Sequence, residues 1–366
     1  MKFSNFSFIV TDDCNFNCSY CLPKKEKKYM TYSTIEKAAD FFYPFLQEQA
    51  YIIFFGGEPL LAFDQIRHAV SLFLEKEKTG GKKLKFSLTT NGRLLSGEIL
   101  DFLDTHCFTL VLSYDGQAQE ICRGPCSRPF MLELIRRINR EAYPDIEFST
   151  NSVFTPTTVN LLSQSLRSIV EMGVTEVRLS LAEDQPWDEA CLIVLEKELD
   201  KLRDFLISYY KEKGIIPVIN FRPAKPRIAE KNVFRCDGGR NRMAIGPEGD
   251  LWGCLVFHGY LKDNRDRDDF STYSFGKLDH FIENFETIYP RVLSNYTALR
   301  QDCFFTGEQF CFLCKEVENC NICPASAAQA TSFVGKIPTW MCGIKQILRK
   351  VAVKIFKEIK KIKEID

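Results

Sequence analysis

The chain has 366 residues, 45% of them hydrophobic, enough for one large core with a second, smaller domain and too much for a disordered or fibrous protein. Its 48 basic and 48 acidic residues cancel, so no overall field directs it to nucleic acid or to an anionic membrane. No run reaches the length of a membrane-spanning helix, and the opening MKFSNF lacks the apolar segment and cleavage site of a secretory signal.

Over residues 1–225 short β-rich runs alternate with longer amphipathic segments. Strands are predicted at 6–10, 51–55, 84–89, 108–113, 146–153 and 174–181, with helices at 33–49, 64–78, 97–105, 130–142 and 158–172. This alternation builds a parallel sheet with right-handed crossovers. Six βα units fall short of a closed eight-stranded barrel, so the expected fold is α/β, a partial (β/α)6 TIM-like barrel whose working face lies at the strand C-termini. A cysteine-rich unit follows over 226–343. Residues 344–366 read as a basic amphipathic helix, with Ile344, Ile347, Leu348, Val351, Ile355, Ile359 and Ile362 near one face. It is expected to dock on the body by that stripe, with a membrane surface or an acidic peptide leader as the alternative.

Without export, 15 cysteines read as metal-binding or catalytic and not as a disulfide scaffold. A reducing, oxygen-poor cytoplasm is the expected home. Directly after the first strand, TDDCNFNCSYC places Cys14, Cys18 and Cys21 at C-x3-C-x2-C spacing. Cysteine ligation of a four-iron cubane normally takes four sulfurs, so a loop supplying three leaves one iron free for another ligand. Zinc sites instead pair cysteines as C-x2-C and close with four ligands.

The three-cysteine loop, with Tyr20 before its last cysteine, resembles that of the radical S-adenosylmethionine (SAM) enzymes. The resemblance implies a 4Fe–4S cluster on Cys14, Cys18 and Cys21, its free iron chelated by the amine and carboxylate of SAM. The segment FFGGEP, with Gly56, Gly57 and Glu58, resembles the one that holds the methionyl amine. The loops TTNG and SYDG after the third and fourth strands, with Asn91 and Ser113, look like that family's polar loop ends near the ribose and carboxylate. In EICRGPCSR, Arg123 is the best match to an arginine that contacts SAM. Cys122 and Cys126 in the same stretch could ligate metal, cycle as a disulfide or be incidental thiols, whereas Cys107 and Cys191 are expected in the core.

Beyond the proline-bearing segment 220–226 come Cys236, Cys254, Cys311, Cys314, Cys320, Cys323 and Cys342. Seven thiols make more than one site. One zinc centre on Cys311, Cys314, Cys320 and Cys323 would strand the other three. The arrangement resembles the SPASM extension of radical SAM enzymes, which carries two auxiliary 4Fe–4S clusters. The resemblance assigns Cys236, Cys254 and Cys323 to the first and Cys311, Cys314, Cys320 and Cys342 to the second. The first then needs a fourth ligand, for which Cys303, Asp237, water or a substrate thiolate are candidates. Anaerobic sulfatase maturases of this group use an aspartate where this chain has Leu255, and a leucine takes no proton.

The resemblance implies reductive cleavage of SAM to a 5′-deoxyadenosyl radical that abstracts hydrogen from a peptide side chain or backbone carbon, giving a thioether or carbon–carbon cross-link or an oxidised residue. The expected cofactors are SAM and three 4Fe–4S clusters; the expected partners are a peptide or protein substrate and a flavodoxin- or ferredoxin-type electron donor. No catalytic residue is assigned. The alternatives are a radical SAM oxidoreductase acting on a small molecule and, of a different class, an iron–sulfur electron carrier or a zinc-binding module.

Overall fold

The computed structural model describes residues 2–21, 24–124, 128–138, 142–222, 233–263 and 268–364. Cys126, part of segment 220–226 and the expected 225/226 domain boundary lie outside them. Six parallel strands follow one another in the chain: β1 (Phe3–Thr11), β2 (Leu46–Gly56), β3 (Lys83–Thr90), β4 (Thr109–Ser113), β5 (Glu147–Phe154) and β6 (Val177–Leu181). They pair in sequence order, β6-β5-β4-β3-β2-β1. On the other side of β1 lie β7 (Arg242–Ile245), parallel to it, then β8 (Asp250–Trp252) and β9 (Ser274–Lys277), each antiparallel to the strand before it. The cysteine-rich segment therefore extends the barrel's own sheet. The result is the α/β fold of a partial barrel.

Residues alternate between the two faces of each strand. On the outer face Phe6 meets Phe42 and Phe8 meets Phe73, rings of the covering helices Tyr32–Phe42 and Phe63–Gly80. Each such ring contributes about 1.5–3 kcal/mol by leaving water. The inner face is more open and more polar, with Ser87, Thr89, Ser113 and Asn151 only half buried.

Three segments depart from expectation. The helix predicted at 33–49 ends at Phe42 and passes through a 3-10 turn, Tyr43–Phe45, into β2. Pro44 lacks the N–H that would continue it. A 25-residue helix, Glu189–Lys213, lies outside the predicted set; Asp188 caps it by accepting from Cys191 N–H at 2.7 Å. Cys107 is exposed, with φ +50°, and Cys191 is half buried at that helix start, so neither is a core residue. Both sit where an element begins or ends, and there a short side chain need not be covered.

The C-terminal helix, Thr339–Lys363, packs along Glu189–Lys213 with Ile344, Val351, Ile355 and Ile359 buried. Its lysines meet acids of the covered side: Lys345 with Glu183 at 2.7 Å, Lys354 with Asp200 at 3.0 Å, and Lys350 with Glu196. Among the described residues no helix is long and apolar enough to cross a membrane.

Candidate cluster and cofactor site

The loop after β1 is fixed by its own short side chains. Thr11 Oγ1 donates to Lys28 O at 2.7 Å and accepts from Asp13 N–H at 3.0 Å, Asp13 accepts from Cys14 N–H at 2.9 Å, and Cys14 Sγ accepts from Phe16 N–H at 3.4 Å. Burial raises the pKa of all three thiols, that of Cys18 to about 11. Each of Cys14 and Cys18 also feels the charge of Cys21, while Lys25 and Arg123 pull the other way. Three thiols this near one another do not ionise together unless positive charge lies among them. The set therefore fits a group that brings its own metal ions.

The Gly-Gly-Glu segment runs against that loop. Gly57 N–H donates to Thr11 O at 2.9 Å and Glu58 N–H to Asp13 O at 2.8 Å. A Cβ on Gly56 would stand 2.3 Å from Thr11 O, and one on Gly57 would stand 2.2 Å from Asp13 O. Glycine is required here because two backbones touch. Glu58 is buried and turned inward: Oε1 accepts from Leu60 N–H at 3.1 Å and Thr90 Oγ1 at 2.7 Å, and Oε2 accepts from Asn91 N–H at 2.8 Å. Three of its roughly four acceptor sites are thus engaged by the chain itself. Its carboxylate ties β2 to β3, where the sequence had suggested a partner for an ammonium group. Asn91 Nδ2 donates to Asn15 at 2.8 Å, holding the cysteine loop from a third side.

Tyr20 and Arg123 converge on Asp115, which sequence reasoning passed over. Tyr20 OH donates to Asp115 Oδ2 at 2.8 Å, Arg123 grips both carboxylate oxygens, and the guanidinium lies 5.3 Å from the Tyr20 ring centre. Ser19 N–H donates to Cys122 O at 2.8 Å, and Cys122 itself is buried with Sγ against Thr158. Ser113 ends β4, paired with Asn151.

A cavity of about 40 Å³ opens beside the loop, lined by Cys14, Cys21, Lys25, Gly56, Gly57 and Leu255 among others. The remaining predicted cofactor contacts, Tyr20, Glu58, Asn91, Ser113 and Arg123, do not line it. His258, one helical turn after Leu255, does. Its Nδ1 lies 3.1 Å from Asp250 Oδ2 and its Nε2 3.4 Å from Asp12 Oδ1, which also meets Lys262 Nζ at 3.1 Å. Burial would lower the pKa of His258, but the two carboxylates outweigh it and hold it above the usual imidazole value. This buried carboxylate–imidazole–carboxylate chain joins the cysteine loop to β8. No motif signals it, because its members come from three separate stretches.

The seven later cysteines fall into two sets. Burial pushes Cys254 up to about 12, with the charges of Cys323 and Cys236 adding to the effect, and pushes Cys236 up to about 11, with Cys323 again contributing. Cys311 is pushed up to about 12 by burial and then by Cys342, Cys320 and Cys314. The structure therefore brings together Cys236, Cys254 and Cys323 in one place and Cys311, Cys314, Cys320 and Cys342 in another. Cys303 is exposed, its Sγ on Asp302 at 3.8 Å; Asp237 lies near Cys236 but pairs with Arg240 at 2.6 Å. Among the described residues no three His, Cys, Asp or Glu side chains converge as on a single metal ion.

A parallel partial barrel with three thiols at the end of its first strand is the architecture of radical SAM proteins. The radical SAM superfamily profile matches residues 8–158, and the chain carries a radical SAM domain. It is 26% identical to an uncharacterized protein of Methanocaldococcus jannaschii over 68% of this chain and 84% of that one. It is also 25% identical to the radical SAM cyclopropyl synthase TigE of Paramaledivibacter caminithermalis, over 70% of this chain and 58% of TigE. A GTP 3′,8-cyclase of Actinobacillus pleuropneumoniae is 34% identical over 31% of this chain and 37% of its own length. Among solved structures, the anaerobic sulfatase maturase anSMEcpe with bound AdoMet and Cp18Cys peptide superposes with TM-score 0.75 at 17% identity, over 99% of this chain and all of that one. Streptococcus suis SuiB bound to precursor peptide SuiA gives 0.51 at 16% identity, over 71% of this chain and 61% of SuiB. Residues 8–158 therefore form a radical SAM domain.

Proposed function

We propose that this chain is a radical SAM enzyme that modifies a peptide or protein and carries two auxiliary clusters of SPASM type. The observation that carries the reading is the partition of ten cysteines into a loop of three at the end of β1 and two later sets of three and four. Thiols held near one another but not converging on one ion suit clusters, in which each thiolate takes a different iron. Cys14, Cys18 and Cys21 would hold a 4Fe–4S cluster, which with SAM would supply one-electron reductive chemistry at this end of the barrel. The chain's own residues do the rest. Cys14, Cys18 and Cys21 hold the cluster, Lys25 and Arg123 offset its charge, and Gly56 and Gly57 offer backbone to the polar end of SAM. Leu255 seals that side of the cavity with an apolar group, and His258 beside it is the nearby group able to hold a proton. Cys236, Cys254 and Cys323 hold the first auxiliary cluster, whose fourth position is open to Asp237, water or substrate; the other four hold the second.

The peptide substrate is supported by the named peptides in the anSMEcpe and SuiB structures and by the kinship with TigE. The partial match to GTP 3′,8-cyclases favours, more weakly, a small-molecule substrate. The test is anoxic reconstitution with iron and sulfide, reduction, and incubation with SAM and candidate peptides, followed by mass spectrometry. About twelve irons per chain, deoxyadenosine and a changed peptide mass are expected. Protein that loads no iron, or loads it and never cleaves SAM, removes the proposal.

A further inference from the structure

The inner face of the sheet carries an arginine with no counter-charge among the described residues. Arg178 on β6 is paired in register with Asn151 on β5, and Asn151 with Ser113 on β4. Residues paired across a parallel ladder share a face. The three therefore form one row on the inner side, opposite Val177 and Leu179, which are buried against the helices. Arg178 is exposed on that face and makes no hydrogen bond or ion pair among the described residues. Asn151 accepts from Ser180 Oγ at 2.9 Å, so its Oδ1 is engaged, while its Nδ2 donors have no partner among the described residues. One row toward the strand N-termini, Ser149 is 2% exposed and its Oγ has no partner.

The contrast on the same face is Lys85. It is neutralised by Glu147 at 3.0 Å and leans over the Tyr51 ring. Toward β6, by contrast, a positive charge in the row of Ser113 and Asn151 has no acid beside it among the described residues. A planar guanidinium fork next to an amide suits an oxyanion, carboxylate or phosphate, that can take parallel hydrogen bonds.

We infer that Arg178 and Asn151 form a subsite for an oxyanion carried by the substrate. This rests on the reading above, in which the open inner face is the substrate chamber. In that reading the amine and carboxylate of SAM are held at the end of β1. Arg178 stands on the sixth strand of the run, two strands beyond Ser113, the expected contact of the SAM ribose and carboxylate, so the test measures SAM binding as well as the anion.

The test uses the full-length, reconstituted chain with SAM present. Calorimetry compares three probes: acetyl-Ala-Glu-Ala amide, its Gln counterpart and inorganic pyrophosphate. Wild type binds at least one anionic probe more tightly than the neutral peptide. Arg178→Gln lowers that affinity about tenfold, in line with the loss of a charged hydrogen bond, and leaves the neutral peptide unaffected; Arg178→Lys restores part of it. Which anion is affected tells a peptide carboxylate from a phosphate. Asn151→Asp, which sets a negative charge beside Arg178, lowers anion binding in the same way and serves if Arg178→Gln fails to fold. The inference is overturned if wild type shows no preference for either anion, if Arg178→Gln keeps it, or if Arg178→Gln weakens SAM itself by the same factor. Failure of the radical SAM reading is seen separately, as wild-type protein that yields no deoxyadenosine, because the anion preference is measured without turnover.

Discussion

Arg123 holds Asp115 by two parallel hydrogen bonds, Nε to Oδ2 at 2.8 Å and Nη2 to Oδ1 at 3.0 Å, and both side chains are almost wholly buried. The carboxylate is further fixed by Tyr20 OH and by Val153 N–H at 2.7 Å. This pair locks the end of the cysteine loop onto β4 and β5. Removing one partner of a buried pair strands the other charge. Asp115→Asn is therefore expected to cost about 3–5 kcal/mol and to lower the iron retained after anoxic reconstitution. Tyr20→Phe, which removes one hydrogen bond and keeps the ring, is expected to cost about 1 kcal/mol. Urea denaturation and iron analysis check both; an Asp115→Asn protein as stable as wild type would refute the argument.

The contact between the glycines and the cysteine loop makes a second expectation. In Gly57→Ala the new methyl meets Asp13 O, a backbone atom that cannot swing aside, so the loop must move. Occupancy of the first cluster falls while the auxiliary sets are untouched. Gly97→Ala, whose nearest neighbour would be Arg137 Nη2 at 3.7 Å, serves as the control and keeps full iron content. Electron paramagnetic resonance of the reduced protein, with and without SAM, distinguishes loss of the SAM-responsive signal from a general loss of clusters.

Much of this site could be read from the sequence because its decisive chemistry is local. Cys14, Cys18 and Cys21 lie within one loop, and the strands that carry the motifs announce themselves by alternation and by the glycines that follow. What stayed hidden is contact between distant segments. Asp12 and His258 are 246 residues apart in the chain, so no spacing rule joins them. The bonds of Glu58 to Thr90 and Asn91 are likewise invisible in the sequence, because they are set by the pairing of β2 with β3. The helix over 33–49 was drawn too long because its apolar period continues past Pro44, where the backbone can no longer follow.

The two later cysteine sets give a prediction that needs no substrate. Cys254→Ser and Cys320→Ser are expected each to lower bound iron by about four, and to do so additively, because the proposal assigns them to different clusters. A pair drawn from one set, such as Cys236→Ser with Cys254→Ser, lowers it no further than either alone. Cys303→Ser leaves the count unchanged, since its thiol is exposed on a separate turn. A Cys303→Ser protein that lost four irons would instead make that residue the missing ligand of the first auxiliary cluster.

The chain Asp12–His258–Asp250 makes stability depend on pH in a definite direction. His258 has its folded pKa raised above 6.5, so its contribution is complete below that value and is lost as pH climbs through the folded value. Asp12 and Asp250 have theirs lowered below 3.8, so their contribution is present above that value and is lost as pH falls through the folded values. The network therefore supports the fold best between the two limits. Replacing His258 with Gln removes the alkaline fall and leaves Asp12 and Asp250, among the described residues, with Lys262, Lys277 and Trp252 to face. The thermal midpoint of the cluster-free chain, measured from about pH 5 to about pH 9, is expected to decline on the alkaline side in wild type and to run flatter and lower in His258→Gln. Curves of the same shape, displaced only in height, would mean that His258 is neutral in the folded chain and that the two carboxylates do not hold its proton.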